Sequence, residues 1–194
     1  MIPSPASRKD QIMEAAEHMF SERGYHATTM RELARAIQLE GGSLYTHISG
    51  KHELLHAVVL RGSRQFLEAA RAATEAGGPA RAQLRALMRR HLAIVAESAD
   101  RAVVYFHEWR HLDPPQQAEI TRHRDEYEGY LRRIIRAGID QGEFAPGDER
   151  LISLQVLSLL NWTYQWFRPD GALSAEELAD RFFEQVMRGL EPRE

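Results

Sequence analysis

Two short stretches of this 194-residue chain hold side chains whose types and spacing could do chemistry. The first is His107-Glu108-Trp109-Arg110-His111, which matches the H-E-x-x-H zinc pattern. On an α-helix, positions four apart share a face, so both imidazoles could hold a metal while Glu108 acts as general base. That reading makes the chain a helical zinc metallohydrolase. Several features oppose it. Pro114-Pro115 stops the helix soon after His111, no third-ligand motif follows, and Glu126 becomes a third ligand only by search. Nine histidines also make a chance match easy. Neither a resident metal, a cofactor nor a catalytic group is therefore expected.

The second stretch is Gly42-Ser43-Leu44-Tyr45-Thr46-His47-Ile48-Ser49-Gly50-Lys51. Small residues open it, hydrogen-bonding side chains fill it, and a lysine starts the next apolar run. Gly41, Gly42 and Ser43 let backbone N–H groups approach a phosphate or a base edge. Ser43 and Thr46 carry hydroxyls that can read a base. Tyr45 and His47 can reach the sugar-phosphate rails, and Lys51 adds charge at a helix start. Thr29 can offer a neutral hydroxyl in the same way. Leu44 and Ile48 should face inward.

The elements that must position these residues all read at helical period. Ile12, Ala15, Ala16, Met19 and Phe20 make one apolar stripe, with Ser7 as a cap and Gly24 as a stop. A threonine, Thr28 or Thr29, caps a short helix with Met30, Leu33, Ala34 and Ile37. A third short helix holds Leu44, Tyr45 and Ile48. A long helix then runs from Lys51 to the Gly77-Gly78-Pro79 break, and further blocks cover 79–98, 102–111, 114–142, 148–167 and 174–190. No stretch alternates as a strand. The expected fold is all-α: a helix-turn-helix DNA-binding domain over 1–51 and a larger helical ligand-binding and dimerisation domain over 52–194.

Composition narrows the setting. No cysteine is present, so disulfides and thiolate sites are excluded, which suits the cytoplasm. The first residues lack a signal-peptide core, and no apolar run is long enough to span a membrane. The net charge of −3 argues against indiscriminate polyanion binding. Over residues 1–51 six basic residues meet six acidic ones, so DNA recognition should lean on neutral donors and helix ends.

The run from "AAEHMFSERGYHATTMRELA" to "GSLYTHISGKHELL" resembles the DNA-binding region of TetR-family transcriptional regulators. The resemblance implies a repressor bound as a homodimer to a near-palindromic double-stranded operator. It places phosphate contacts on Thr29, Tyr45, His47 and Lys51, and base reading around Gly42, Ser43 and Thr46. Gln38 stands where the family usually has a turn glycine, and Glu40 where it has a small cap. Gly41 replaces a common basic residue, and Ile48 a common aromatic.

Two further segments, "YFHEWRHL" and "LLNWTYQWFRPDG", resemble the acyl-CoA-responsive, FadR-like branch of that family. They imply a small-molecule effector, an acyl-CoA, controlling fatty-acid or related catabolism genes. By that resemblance Tyr105, Trp109, Arg110, Trp162, Trp166 and Arg168 lie near the ligand. Leu151, Leu154, Leu157 and Leu160, with Leu178, Phe182, Val186 and Leu190, are expected to form a four-helix dimer interface.

Overall fold

The computed structural model describes residues 7–39 and 44–190. Its helices are α1 (Arg8–Arg23), α2 (Met30–Ala36), α3 (Lys51–Glu75), α4 (Ala80–Glu97), α5 (Ala99–His107), α6 (Pro114–Asp140), α7 (Glu149–Asn161) and α8 (Ala175–Leu190). Short 3₁₀ turns occupy Glu108–His111 and Thr163–Gln165, and the described residues contain no strand. The all-α expectation holds. No helix is long and apolar enough to cross a membrane. The chain packs as two units, one of Met1–Ser63 with Asp100–Ile120, the other of Arg64–Ala99 with Thr121–Glu194.

In the first unit the apolar stripe of α1 is buried through Ile12, Ala16, Met19 and Phe20. It shares a core with Leu33, Leu44, Ile48, Leu54, Leu55, Val58, Val104 and Tyr105. Local chemistry sets the helix ends. Ser7 accepts from the Asp10 N–H, and Gly24 closes α1 at φ 82°, a conformation glycine adopts without cost. Thr29 and Glu32 form a reciprocal capping box at α2. At the far end of α2, the Leu39 N–H donates to the Ala34 carbonyl (2.8 Å) and the Gln38 N–H to that of Arg35 (3.2 Å). These are the two bonds of a Schellman turn. They force Gln38 to φ 55°, so the missing turn glycine is felt as backbone strain.

In the second unit α4 packs along α8, with Leu84, Leu87, Met88, Leu92, Leu178, Ala179, Phe183 and Met187 buried. Arg85 and Arg89 both grip the Asp180 carboxylate from α4, Arg85 at 2.9 and 2.7 Å. The Glu143 carboxylate accepts from the Ala80 and Arg81 N–H groups (2.9 and 3.0 Å), capping a helix whose own flanking Pro79 has no side chain able to do so. Gly138 is required where it stands, because a Cβ there would lie 2.2 Å from the Phe144 ring. Asp148 and Ser174 cap α7 and α8, Ser174 through a capping box with Glu177.

Two expected blocks end early. The block over 102–111 is helical only to His107, and that over 148–167 only to Asn161, each finishing in a 3₁₀ turn. Pro114-Pro115 disfavours helix just before it, and the tighter turn satisfies the last carbonyls.

Two stability measurements check this account. Gln38→Gly should raise unfolding stability by about 1 kcal/mol, because glycine relieves the left-handed strain. A thermal melt unchanged or lowered would contradict it. The Arg89 and Arg85 forks hold the Asp180 carboxyl well below the usual carboxylate range. Its folded pKa is therefore depressed, and its contribution is complete above the unfolded value and lost as pH falls below it. Asp180→Asn should cost about 1 kcal/mol at neutral pH. That difference should fade below about pH 4.

Candidate nucleic-acid interface

The segment after α2 is built to present side chains outward. Leu44 and Ile48 are buried at 0% and 4% exposure, and the Ile48 N–H donates to the Leu44 carbonyl at 3.2 Å, making one helical turn. Between those anchors Tyr45, Thr46 and His47 are exposed, Tyr45 at 56%. The inward and outward faces match the sequence reading. Gly42 and Ser43, with Glu40 and Gly41, lie outside the described residues.

Thr29 is exposed at the start of α2, yet its hydroxyl already serves the capping box. It donates to Glu32 Oε2 (2.6 Å) and accepts from the Glu32 N–H (3.2 Å). Those bonds lower the Glu32 pKa.

Lys51 does something its position in the sequence does not reveal. Its ammonium donates to the carbonyls of Tyr25 (2.9 Å), His26 (3.3 Å) and Thr28 (2.8 Å), and lies 4.4 Å over the Tyr25 ring. The expected phosphate ligand thus engages its N–H donors within the protein, pinning the α1–α2 loop to the start of α3. Loop carbonyls lack helical partners, and a cation satisfies several at once. Thr28, fully buried, closes the loop by donating to the Met19 and Gly24 carbonyls.

The same loop is held from its other side by the H-E-x-x-H segment. Glu108 accepts from the Tyr25 N–H at 2.8 Å. His111 stacks on Tyr25 with ring centroids 5.6 Å apart, and its Nδ1 lies 3.1 Å from His26 Nε2. The metallohydrolase alternative is corrected here. Residues 108–111 form a 3₁₀ turn, whose three-residue period puts His107 and His111 on different faces, and Glu108 is committed to a backbone amide. Among the described residues no group of three or more His, Asp or Glu could hold a metal.

A chain of polar contacts runs on between α1 and α5. Asp100 lies 3.0 Å from His18 Nδ1 and accepts from the Ser21 hydroxyl. Arg101 Nε donates to Glu17 at 2.8 Å, with both residues buried. Arg61 of α3 brings a second guanidinium 3.9 Å from both Glu17 and Asp10. Sequence patterning found none of these, since each joins residues far apart in the chain.

The expected ligand-side residues divide between the units. In the first, Tyr105 is buried against Gly62, whose missing side chain allows the close approach, while Trp109 is half-buried and Arg110 exposed. In the second, Trp162 and Trp166 are 61% and 49% exposed, and Arg168 is exposed. Trp162 sets its edge against Tyr164, and Trp166 against Phe182. Of the expected dimer residues, Leu151 and Leu154 are exposed, whereas Leu160, Leu178 and Leu190 are buried.

A braced amphipathic helix, a capped second helix and a following turn with its polar side outward make a helix-turn-helix DNA-binding unit. Residues 12–58 match the family model of bacterial regulatory proteins, tetR family, and residues 77–190 match the tetracyclin repressor-like C-terminal domain. The chain belongs to the TetR family; it is a transcriptional regulator and not an enzyme. It is 28% identical to the transcriptional repressor KstR2 of Mycolicibacterium smegmatis, covering 96% of this chain and 92% of that one. The crystal structure of the regulator PfmR from Thermus thermophilus is similar, with TM-score 0.87 and 35% identity over 93% of this chain and 99% of the other. So is AibR in complex with isovaleryl coenzyme A and operator DNA, with TM-score 0.83 and 29% identity over 93% of this chain and 98% of that one.

The double role of Lys51 is open to a direct check. Lys51→Met should lower the stability of the free protein by about 1–2 kcal/mol, because three loop carbonyls lose a charged donor. A lysine that served only a phosphate would leave the DNA-free melt unchanged.

Proposed function

We propose that the protein is a ligand-responsive transcriptional repressor that binds a near-palindromic operator as a homodimer and leaves it when an acyl-CoA binds. The observation that carries the DNA half is the turn at 44–48, which buries its two apolar residues and exposes Tyr45, Thr46 and His47 together. These three, with Thr29, Gly42 and Ser43, form the proposed DNA-contacting set, and Lys51 joins it through its charge because its N–H donors are engaged on the loop. The proposed DNA-binding domain is 1–51, with 52–194 binding the effector and the second copy. Because the acidic and basic residues of 1–51 balance, specific binding should show a modest salt slope.

Support for the effector class comes from AibR, a regulator of similar fold and length solved with isovaleryl coenzyme A. A CoA thioester fits control of fatty-acid or related catabolism in the cytoplasm. Tyr105, Trp109 and Arg110 are the proposed effector contacts of the first unit, and Trp162, Trp166 and Arg168 those of the second. Trp109 and Arg110 lie within the turn whose Glu108 and His111 hold the 25–28 loop. A ligand that displaced this turn would loosen the loop leading into Thr29 and α2. Release then needs only that the effector bind the displaced arrangement more tightly.

The proposed dimer face centres on α7. Leu151 and Trp162 are eleven residues apart, three turns of helix, and so share a stripe. Both are more than half exposed, with Leu154 beside Leu151 at 41%. Such apolar exposure suits a second copy of the chain. Trp162 joins that face through the stripe, while Trp166 lies beyond α7 against Phe182.

A band-shift assay on the DNA upstream of the protein's own coding sequence tests the whole reading. The folded dimer should retard one specific fragment, and a panel of acyl-CoA esters should reverse the shift. Tyr45→Phe should weaken binding by a similar factor for every operator variant, as a phosphate contact does. A folded protein that shifts no fragment specifically would overturn the repressor reading. A shift that no acyl-CoA reverses would overturn the effector class alone.

A further inference from the structure

His91 lies on α4 at 1% exposure, between Phe66 of α3 and Tyr127 of α6, all within the second unit. Its ring centroid is 4.7 Å from that of Phe66 and 5.9 Å from that of Tyr127. The Nδ1 atom lies 2.8 Å from the Tyr127 hydroxyl oxygen. The Nε2 atom is buried and has no hydrogen-bond partner among the described residues. Burial pushes the imidazole pKa down to about 3, so the ring is neutral and carries one proton.

That arrangement is costly for a packing residue. A buried polar atom without a partner forfeits its hydration and gains nothing in return. Phenylalanine or leucine would fill similar space against Phe66 and Tyr127 without that loss. The tyrosine decides what the free nitrogen offers. When the phenol donates to Nδ1, the imidazole proton sits on Nε2, which becomes a directed donor inside an apolar interior.

We propose that His91 Nε2, oriented by Tyr127, is the polar anchor of the effector site and donates a hydrogen bond to a carbonyl oxygen of the bound ligand. This rests on the acyl-CoA reading given above. An acyl-CoA offers such an oxygen at the thioester, and a keto-substituted acyl chain offers another. His91 is closed off by packing, so the ligand reaches it only as α3, α4 and α6 part around it. The hydrogen bond then forms only in the opened arrangement. It supplies the differential affinity that a ligand needs to shift a population. Tyr127 is a positioning residue in this scheme, and His91 touches the ligand.

The test uses three CoA derivatives of one chain length: hexanoyl-CoA, S-hexyl-CoA with the carbonyl replaced by methylene, and 5-oxohexanoyl-CoA. A twelve-carbon set of the same design covers a longer site. Calorimetry on the full-length wild type should show a carbonyl-bearing ligand binding about tenfold tighter than its thioether counterpart. Whether the thioester or the ketone brings the gain identifies the oxygen. His91→Phe should bring all three affinities within about twofold of one another while still binding S-hexyl-CoA. Tyr127→Phe, which keeps the ring and frees the tautomer, should reduce the ratio in part. The ratio, unlike affinity itself, is insensitive to a general loss of packing. A folded His91→Phe protein that keeps the wild-type ratio overturns the proposal and leaves Nε2 to a structural water. A wild type that binds the thioester and the thioether equally, with no gain from the ketone, overturns it too. A wild type that binds none of the six ligands overturns the acyl-CoA reading and takes this inference with it.

Discussion

The five residues between α1 and the cap of α2 depend on groups brought from elsewhere. Helices satisfy their own backbone; a loop does not, and the carbonyls of Tyr25, His26 and Thr28 must find donors. Lys51 supplies them from the start of α3, and Glu108 takes the Tyr25 N–H from the opposite side. The start of α2 is set directly by this clamp. Thr29 caps α2 immediately after it, and the outward side of residues 44–48 is set by burial of Leu44 and Ile48 in the core that α1 and α2 share.

The same clamp explains a motif that chemistry would otherwise claim. His107 to His111 has the composition of a metal site, but the last α-helical residue is His107 and the tighter turn rotates His111 elsewhere. Glu108 and His111 become structural partners of Tyr25 and His26. The buried Glu17–Arg101 pair and Asp100 continue this set of contacts along α1. Replacing such a pair with apolar groups is often tolerated, whereas removing one partner leaves an uncompensated buried charge. Loss of either member alone is therefore the costly change, and the intact pair ties the α5 segment to α1 within the first unit.

Local features were legible in the sequence. The α1 stripe, the cap at Ser7, a threonine cap for α2 that the structure places on Thr29 rather than Thr28, and the inward pair Leu44 and Ile48 all follow from residues within a few positions of each other. Gln38 was visible as a departure, and its positive φ is the physical form that departure takes. The cap that Glu143 provides to α4 comes from more than sixty residues away and left no local trace. His91 likewise reads as one more position on an amphipathic helix. Only its packing against Tyr127 and Phe66 shows that one of its nitrogens is left unpaired.

By itself the sequence determined the helices, most of their starts and ends but not the early stops at His107 and Asn161, the outward set Tyr45, Thr46 and His47, and the regulatory family. These rest on periodicity, capping and motif register, which act over a few residues and survive in one dimension. Tertiary structure alone decided that Lys51 engages its donors on a loop, that H-E-x-x-H is a clamp, and which of the apolar residues beyond α6 remain exposed. Hydrogen-bond satisfaction and burial are settled between residues distant in the chain, and spacing along the sequence carries no record of those distances.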